Sequence, residues 1–237
     1  MSRDAVLITG VGRRVGLHLA TTLLQRGIAV VGTYRSERPS LHGLRELGAH
    51  LYCCDFYDEP QVDLLIRNLL DRFKSLRAII HNASDWLPDG GELSAAEVMR
   101  RMMQVHVTVP YRLNLALLPR LRACATGRAD IIHVGDYVSG RGSRKHIAYA
   151  ASKAAQDNLT LSFAARFAPE VKVNSIAPAL LLFNEHDDKD YRRRALAKSL
   201  MPHEGGLEEF QRTVDFLLES NYVTGRILHL DGGRHLR

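Results

Sequence analysis

Apolar residues in this chain gather in short, near-continuous runs, and each run is followed by a stretch of helical spacing. The runs are Ala5–Thr9, Ile28–Tyr34, His50–Cys54, Arg77–His81, Asp130–Gly135, Val171–Ile176 and Ile227–Leu230. Segments such as Ala5-Val6-Leu7-Ile8 and Ile28-Ala29-Val30-Val31 lack the polar alternation of a half-exposed strand, which predicts strands covered on both faces. Between the runs, Val15–Arg26, Gln61–Phe73, Val105–Ala123, Ala148–Phe167 and Leu207–Glu219 carry apolar residues at the spacing of amphipathic helices. Alternation of this kind predicts an α/β chain of right-handed βαβ units around a parallel sheet.

The rhythm breaks once. Between Pro178 and Gly206 the chain carries His186, several arginines and no strand pattern. A connection of that length is either a lid over a ligand site or a surface insertion with a short helix at Tyr191–Ser199. No repeat or linker divides the rest, so residues 1–237 are expected to form one domain, with the lid at about 178–206.

Composition narrows the class. Apolar residues at 46% and charged residues at 24% describe an ordinary globular chain rather than a disordered one. No run approaches the ~20 apolar residues of a membrane span. Met1-Ser2-Arg3-Asp4 opens directly onto an apolar strand, without the longer apolar stretch of a secretion signal. A cytoplasmic protein that does not engage a membrane is expected. Cys53 and Cys54 are adjacent and point to opposite faces of a strand, and Cys124 is remote, so free thiols are expected and no metal site. The net charge is +6, but the basic clusters are small and not interleaved with aromatics, which sets nucleic acid aside as a partner.

Candidate chemistry begins at the first strand, which ends in Thr9-Gly10-Val11-Gly12-Arg13-Arg14-Val15-Gly16 before a helix. Glycines there permit a tight turn and a close backbone approach to a pyrophosphate, with the helix N-terminus adding positive potential. Gly10, Arg13, Arg14 and Gly16 are the candidate residues. After the second strand stand Arg35 and Ser36, where an acidic residue would accept the ribose hydroxyls of NAD. The offset from Gly16 is 35 − 16 = 19, close to the roughly 20 of a dinucleotide fold. A guanidinium can pair with a 2′-phosphate, so the cofactor is expected to be NADPH. Asp55, with Phe56 beside it, follows the third strand and either accepts from the adenine amino group or caps the next helix. Asn82, Ala83 and Ser84 follow the fourth strand, at the sheet edge where such folds bind ligands.

Tyr149-Ala150-Ala151-Ser152-Lys153 places a phenol and an ammonium at i and i+4 on one helix face. An adjacent ammonium favours the phenolate and would bring Tyr149 into useful range for proton transfer.

With the glycine turn, Asn82-Ala83, Asn174-Ser175-Ile176-Ala177-Pro178 and Asp231-Gly232-Gly233, the chain resembles the short-chain dehydrogenase/reductase family from its first strand to its C-terminus. The resemblance implies a Rossmann-type doubly wound parallel seven-stranded sheet flanked by helices, Pro178 against the cofactor, and a homotetramer. In such a tetramer Arg234, His235 and Arg237 either reach a neighbouring subunit or fray.

Four positions depart from the family pattern. Arg14 replaces a third Gly, Ser84 follows Asn-Ala where many members have Gly, and His106 stands near the usual Asn. Thirteen positions before Tyr149, where most members carry Ser, 149 − 13 = 136 is Asp136. Arg14, Ser84, Asp136 and Trp86 together resemble the pteridine reductases of the family, whose corresponding residues line the pterin site.

The implied reaction is NADPH-dependent reduction of a 7,8-dihydropterin, with weaker dihydrofolate reduction. Tyr149, Lys153 and Asp136 would be catalytic, with Lys153 holding the nicotinamide ribose. Arg14, Ser84, Trp86, Asp136 and Tyr149 would contact substrate. Trp86 is either the stacking face for the pterin or a packing residue, and His106 either anchors a water or is satisfied within its helix. The competing assignments are a carbonyl reductase and a non-catalytic NADPH-binding regulator.

Overall fold

The computed structural model describes residues 4–237; the expected leaderless start at Met1–Arg3 lies outside the described residues. All seven apolar runs are strands: β1 (Ala5–Thr9), β2 (Val30–Tyr34), β3 (His50–Cys53), β4 (Leu76–His81), β5 (Ala129–Val134), β6 (Val171–Pro178) and β7 (Ile227–Leu230). They pair in parallel in the order β3-β2-β1-β4-β5-β6-β7. The crossovers are α1 (Arg14–Gln25), α2 (Ser40–Glu46), α3 (Glu59–Arg72), the pair α4 (Ala95–Met103) and α5 (Val109–Arg122), α6 (Ile147–Phe167), then α7 (Lys189–Leu196) and α8 (Gly206–Glu219). This is the doubly wound sheet that the pattern predicts.

Side-chain alternation along β1 shows why both faces are covered. Ala5 and Leu7 enter one core with Leu65 and Leu69 of α3, Leu113 and Leu117 of α5, and Phe163 and Phe167 of α6. Val6 and Ile8 enter the opposite core with Leu19 and Leu23 of α1, Leu41 and Leu44 of α2, and Phe210 and Val214 of α8. The winding direction reverses between β1 and β4, and their C-terminal ends diverge there into a crevice.

Two elements differ from the sequence expectation. The seven-residue α2 follows Pro39 and contains Gly43, a poor helix former, and only Leu41 and Leu44 face the core. The long helix expected from Val105 begins ten residues earlier, at Ala95. Its start is marked by Ser94, whose hydroxyl accepts from the Glu97 amide, an S-x-x-E box that is legible in the sequence. A π-helical turn at Gln104–Thr108 then joins α4 to α5. The segment between Pro178 and Gly206 leaves and returns at one point, because the Gly205 and Gly206 amides donate to the carbonyls of Leu180 and Leu181. Its helix α7 buries no residue. Among the described residues no helix is long and apolar enough to cross a membrane.

At the opposite end of the sheet Asp130, fully buried, meets Arg77 and Lys172, the latter at 2.6 Å. Both cations also donate to carbonyls in the last turn of α8: Lys172 to Leu217 at 2.7 Å and Arg77 to Leu218. They satisfy orphan acceptors and oppose the negative end of the helix dipole. Asp130→Ala would leave two cations without a counter-charge in a largely buried site, at a cost of about 3–5 kcal/mol. Its thermal midpoint, followed by circular dichroism, is expected to fall by roughly 10 °C; an unchanged midpoint would mean that α8 is anchored by other contacts.

Candidate active site

The crevice between β1 and β4 opens into a cleft of about 360 Å³. It is lined by Gly10, Arg13, Arg14, Arg35, Ser36, Asp55, Phe56, Asn82, Ala83, Ser84, Asp136, Tyr149, Lys153 and Pro178. Of the expected contact residues, Gly16 and Trp86 do not line it. Gly16 sits beneath the turn, where a Cβ would fall 2.1 Å from the Gly10 carbonyl oxygen and 2.5 Å from Asn82 Nδ2.

The N-terminus of α1 points into the cleft unneutralised. Arg13 occupies its cap position without a side-chain hydrogen bond, and the first turn carries no acidic residue. By contrast α3 is capped by Asp58 and α4 by Ser94. Free backbone N–H groups at a helix start form an anion site. Arg14 holds a left-handed backbone, φ +50, where most of the resembling family carries Gly. Its guanidinium donates to Asn184 Oδ1 at 2.7 Å and to the Leu182 carbonyl at 3.0 Å, tying the turn to the 178–206 segment. Arg14 therefore lines the cleft while bound to this segment, rather than standing free for substrate.

Arg35 also differs from expectation. It lies at the mouth, paired with Asp85 at 3.0 Å, and the Tyr57 hydroxyl donates to the same Asp85 oxygen at 2.9 Å. Burial pushes the Asp85 carboxyl up, but hydrogen bonds from Arg35, the Trp86 amide and Tyr57 outweigh it and hold the group below its usual range. Sequence reasoning missed Asp85, Tyr57 and Arg38, which all line the cleft; only Arg38, fourth in the run from Arg35, gave a signal. Arg13, Arg14, Arg35 and Arg38 thus put four arginines in the lining of the cleft. Asp55 does not cap a helix: Asp58 takes that role, and Asp55 Oδ1 accepts from the Tyr57 amide at 3.0 Å.

At the inner end the Tyr149 hydroxyl donates to Asp136 Oδ2 at 2.8 Å, while Asp136 Oδ1 accepts from the Val138 amide at 2.8 Å. The expectation that Lys153 lowers the Tyr149 pKa does not hold here. Burial pushes the phenol well above its ordinary value, and the adjacent Asp136 charge raises it further. Tyr149 is therefore a protonated donor. Burial pushes Lys153 down to about 8 against the opposing pull of Asp136 and Asp157. Its Nζ donates to the Val134 carbonyl at 2.7 Å and to Gln156 Oε1 at 3.3 Å, and it lies 5.8 Å from the Tyr149 ring centroid.

The structure also places Trp86, His106 and the C-terminal arm. Trp86 stands outside the cleft, 64% exposed, and stacks on His146 at 3.9 Å between centroids. The chain turns outward after β4, and the Trp86 amide donates to Asp85 Oδ1. Of the two alternatives for His106, the structure supports the satisfied one: it is fully buried in the π turn and bonds Ser84 through Nε2 and Ser152 through Nδ1, both at 2.8 Å. The C-terminal arm packs on its own chain. The Arg234 guanidinium covers the Tyr137 ring at 4.9 Å, and Arg141 donates to the Arg237 carbonyl at 3.1 Å.

Comparison with known proteins agrees with this geometry. A family model described as enoyl-(acyl carrier protein) reductase matches residues 10–235. Dihydromonapterin reductase of Klebsiella pneumoniae is 51% identical over 232 residues, covering 98% of this chain and 97% of that protein. The Escherichia coli K12 protein of the same name is 52% identical with the same coverage. Among solved structures, FolM alternative dihydrofolate reductase 1 from Brucella suis in complex with NADP superposes with a TM-score of 0.86 at 26% identity, covering 99% of this chain and 96% of that one. A glycine turn under an uncapped helix, a Tyr–Lys pair on α6 lining the cleft and relatives this close over their full length have one explanation: the chain belongs to the short-chain dehydrogenase/reductase family.

Proposed function

We propose that this protein reduces 7,8-dihydromonapterin to the tetrahydropterin with NADPH, and dihydrofolate more slowly. The observation that carries the proposal is the hydrogen bond from Tyr149 to Asp136. A ketone reduction builds negative charge on oxygen, which a carboxylate at that place would oppose. Reduction of the N5=C6 imine of a dihydropterin instead requires N5 to gain a proton, and an adjacent carboxylate favours the positive charge that builds there. The dihydromonapterin reductases and the alternative dihydrofolate reductase to which the chain is similar support the same assignment.

The cleft suits NADPH. An uncapped helix start fits the pyrophosphate, and besides Arg14, which is tied to the 178–206 segment, Arg13, Arg35 and Arg38 line the cleft, more cations than a diphosphate alone needs. Bound NADPH supplies the hydride. Lys153, at the inner end, would hold the nicotinamide ribose by donating to its hydroxyls, and Arg35 would turn from Asp85 to the 2′-phosphate. Tyr149 keeps its proton at a high pKa and points it at Asp136; with the dihydropterin bound, the hydroxyl would turn from the carboxylate and give that proton to N5, to be replaced from solvent. The segment 178–206, linked to the glycine turn through Arg14, would cover the substrate end and exclude water.

Three outcomes test this. Loss of NADPH absorbance is expected with 7,8-dihydromonapterin and more slowly with dihydrofolate. Tyr149→Phe and Asp136→Ala should each lower kcat by about 100-fold or more, the scale of general acid catalysis, with little change in NADPH binding; turnover of ketones only would sink the assignment. Arg35→Ala is expected to raise the KM for NADPH about 10–100-fold, the scale of one charge-assisted bond, and to leave the KM for NADH unchanged. Lys153 makes its strong, charge-assisted hydrogen bonds only as an ammonium, and burial pushes its pKa down to about 8. Below that value it is charged; as pH rises through it the charge is lost, so kcat/KM should decline above about 8 and hold on the acid side of it. A profile flat well into alkaline pH would count against the role of Lys153.

A further inference from the structure

We propose that His106 fixes the hydrogen-bonding polarity of Ser84, so that the site selects a substrate edge presenting an N–H donor. This rests on the proposed pterin reduction, since the pterin edge is what Ser84 would meet.

The polarity follows from counting protons. Ser152 Oγ lies 2.7 Å from the Tyr149 carbonyl oxygen and 2.8 Å from His106 Nδ1. A hydroxyl has one proton and a carbonyl none, so the Ser152 proton points at the carbonyl. Ser152 Oγ can then only accept from His106, which makes Nδ1 the protonated ring nitrogen. Full burial holds the imidazole well below its ordinary pKa, so it is neutral and carries no second proton. Nε2 is therefore a bare acceptor, and Ser84 Oγ, 2.8 Å away, donates to it rather than to the Asp85 carbonyl oxygen, which lies farther off at 3.4 Å. The chain runs in one direction: Ser84 to His106, His106 to Ser152, and Ser152 to the backbone of Tyr149.

Ser84 has then spent its only proton. Its lone pairs remain for the cleft, which it lines beside Tyr149 and Asp136. Apart from the phenol proton, this wall offers acceptors, Ser84 Oγ and the Asp136 carboxylate. A carbonyl placed against it meets lone pairs, whereas an N–H meets a partner. A 7,8-dihydropterin carries such donors at its 2-amino group, N3 and N8. His106 touches no substrate and is a positioning residue.

Two measurements on the full chain test this. In nitrogen-15 histidine spectra of the ligand-free protein, the His106 signals, assigned by their loss in His106→Gln, should show a protonated Nδ1 and an unprotonated Nε2. A protonated Nε2 would overturn the proposal whether or not the protein reduces pterins. In steady-state assays Ser84→Ala and His106→Leu should each raise the dihydropterin KM by about tenfold, with the NADPH KM unchanged and the double variant no worse than either single one. His106→Gln keeps one acceptor and one donor, and should hold the pterin KM within about threefold of the parent. Multiplying effects of the two substitutions, or a Gln variant as impaired as the Leu variant, would also overturn it. Should His106→Leu not fold, the spectrum and the Gln variant still decide. A parent protein inactive on every dihydropterin would refute the proposed reaction and leave the tautomer to be judged by the spectrum alone.

Discussion

Four hydrogen bonds join the ends of β1 and β4, and the cleft hangs on them. The Asn82 and Ala83 amides donate to Thr9 Oγ1 at 3.0 and 2.9 Å, and Asn82 Nδ2 donates to the Thr9 and Gly10 carbonyls at 3.0 and 2.9 Å. At a switch point the two strand ends feed loops that run in opposite directions, so beyond the last ladder pair, Ile8 with Ile80, this clamp holds them together. Gly16 presses against the same clamp from α1, with no room for a Cβ. The glycine turn, the first turn of α1 and the end of β4 are consequently one rigid piece. That piece aims the free N–H groups of α1 at the cleft and sends Ser84 and Asp85 to its opposite wall.

Charge is divided along the cleft in a way that suits two different ligands. Its outer end is cationic and partly open, with Arg35 steadied by Asp85. Its inner end is nearly dry, and burial sets the protonation states there: Tyr149 is pushed up, Lys153 down and His106 far down. In water the phenol and the ammonium would titrate close together, near 10.0 and 10.5. In a low-dielectric pocket a carboxylate at 2.8 Å keeps the phenol protonated, and a neutral imidazole can orient two hydroxyls.

The positions of the strands were legible because burial on both faces leaves an apolar run that neighbouring residues spell out, as in Ala5–Thr9. Most of the cleft was legible too. Gly10, Arg13, Asn82, Asp136, Tyr149 and Lys153 stand at strand ends or a fixed helical spacing, and chain connectivity carries them to one edge of the sheet. The start of α4 was written in its Ser94–Glu97 box, whereas α2 was too short and too weakly patterned to be read.

Local periodicity and the handedness of βαβ units account for the alternating elements, the parallel sheet and the convergence of the Tyr149–Lys153 pair with the glycine turn, and all of these can be read along the chain. Which neighbours the side chains meet follows from packing alone. Arg35 pairs with Asp85, Trp86 turns away onto His146, and His106 is held between Ser84 and Ser152. The same packing pushes the Tyr149 pKa up, first through burial, which periodicity does not reveal, and then through the adjacent Asp136 charge. Hydrogen bonds and desolvation act over a few ångströms between residues remote in the chain, and periodicity carries no information about such distances.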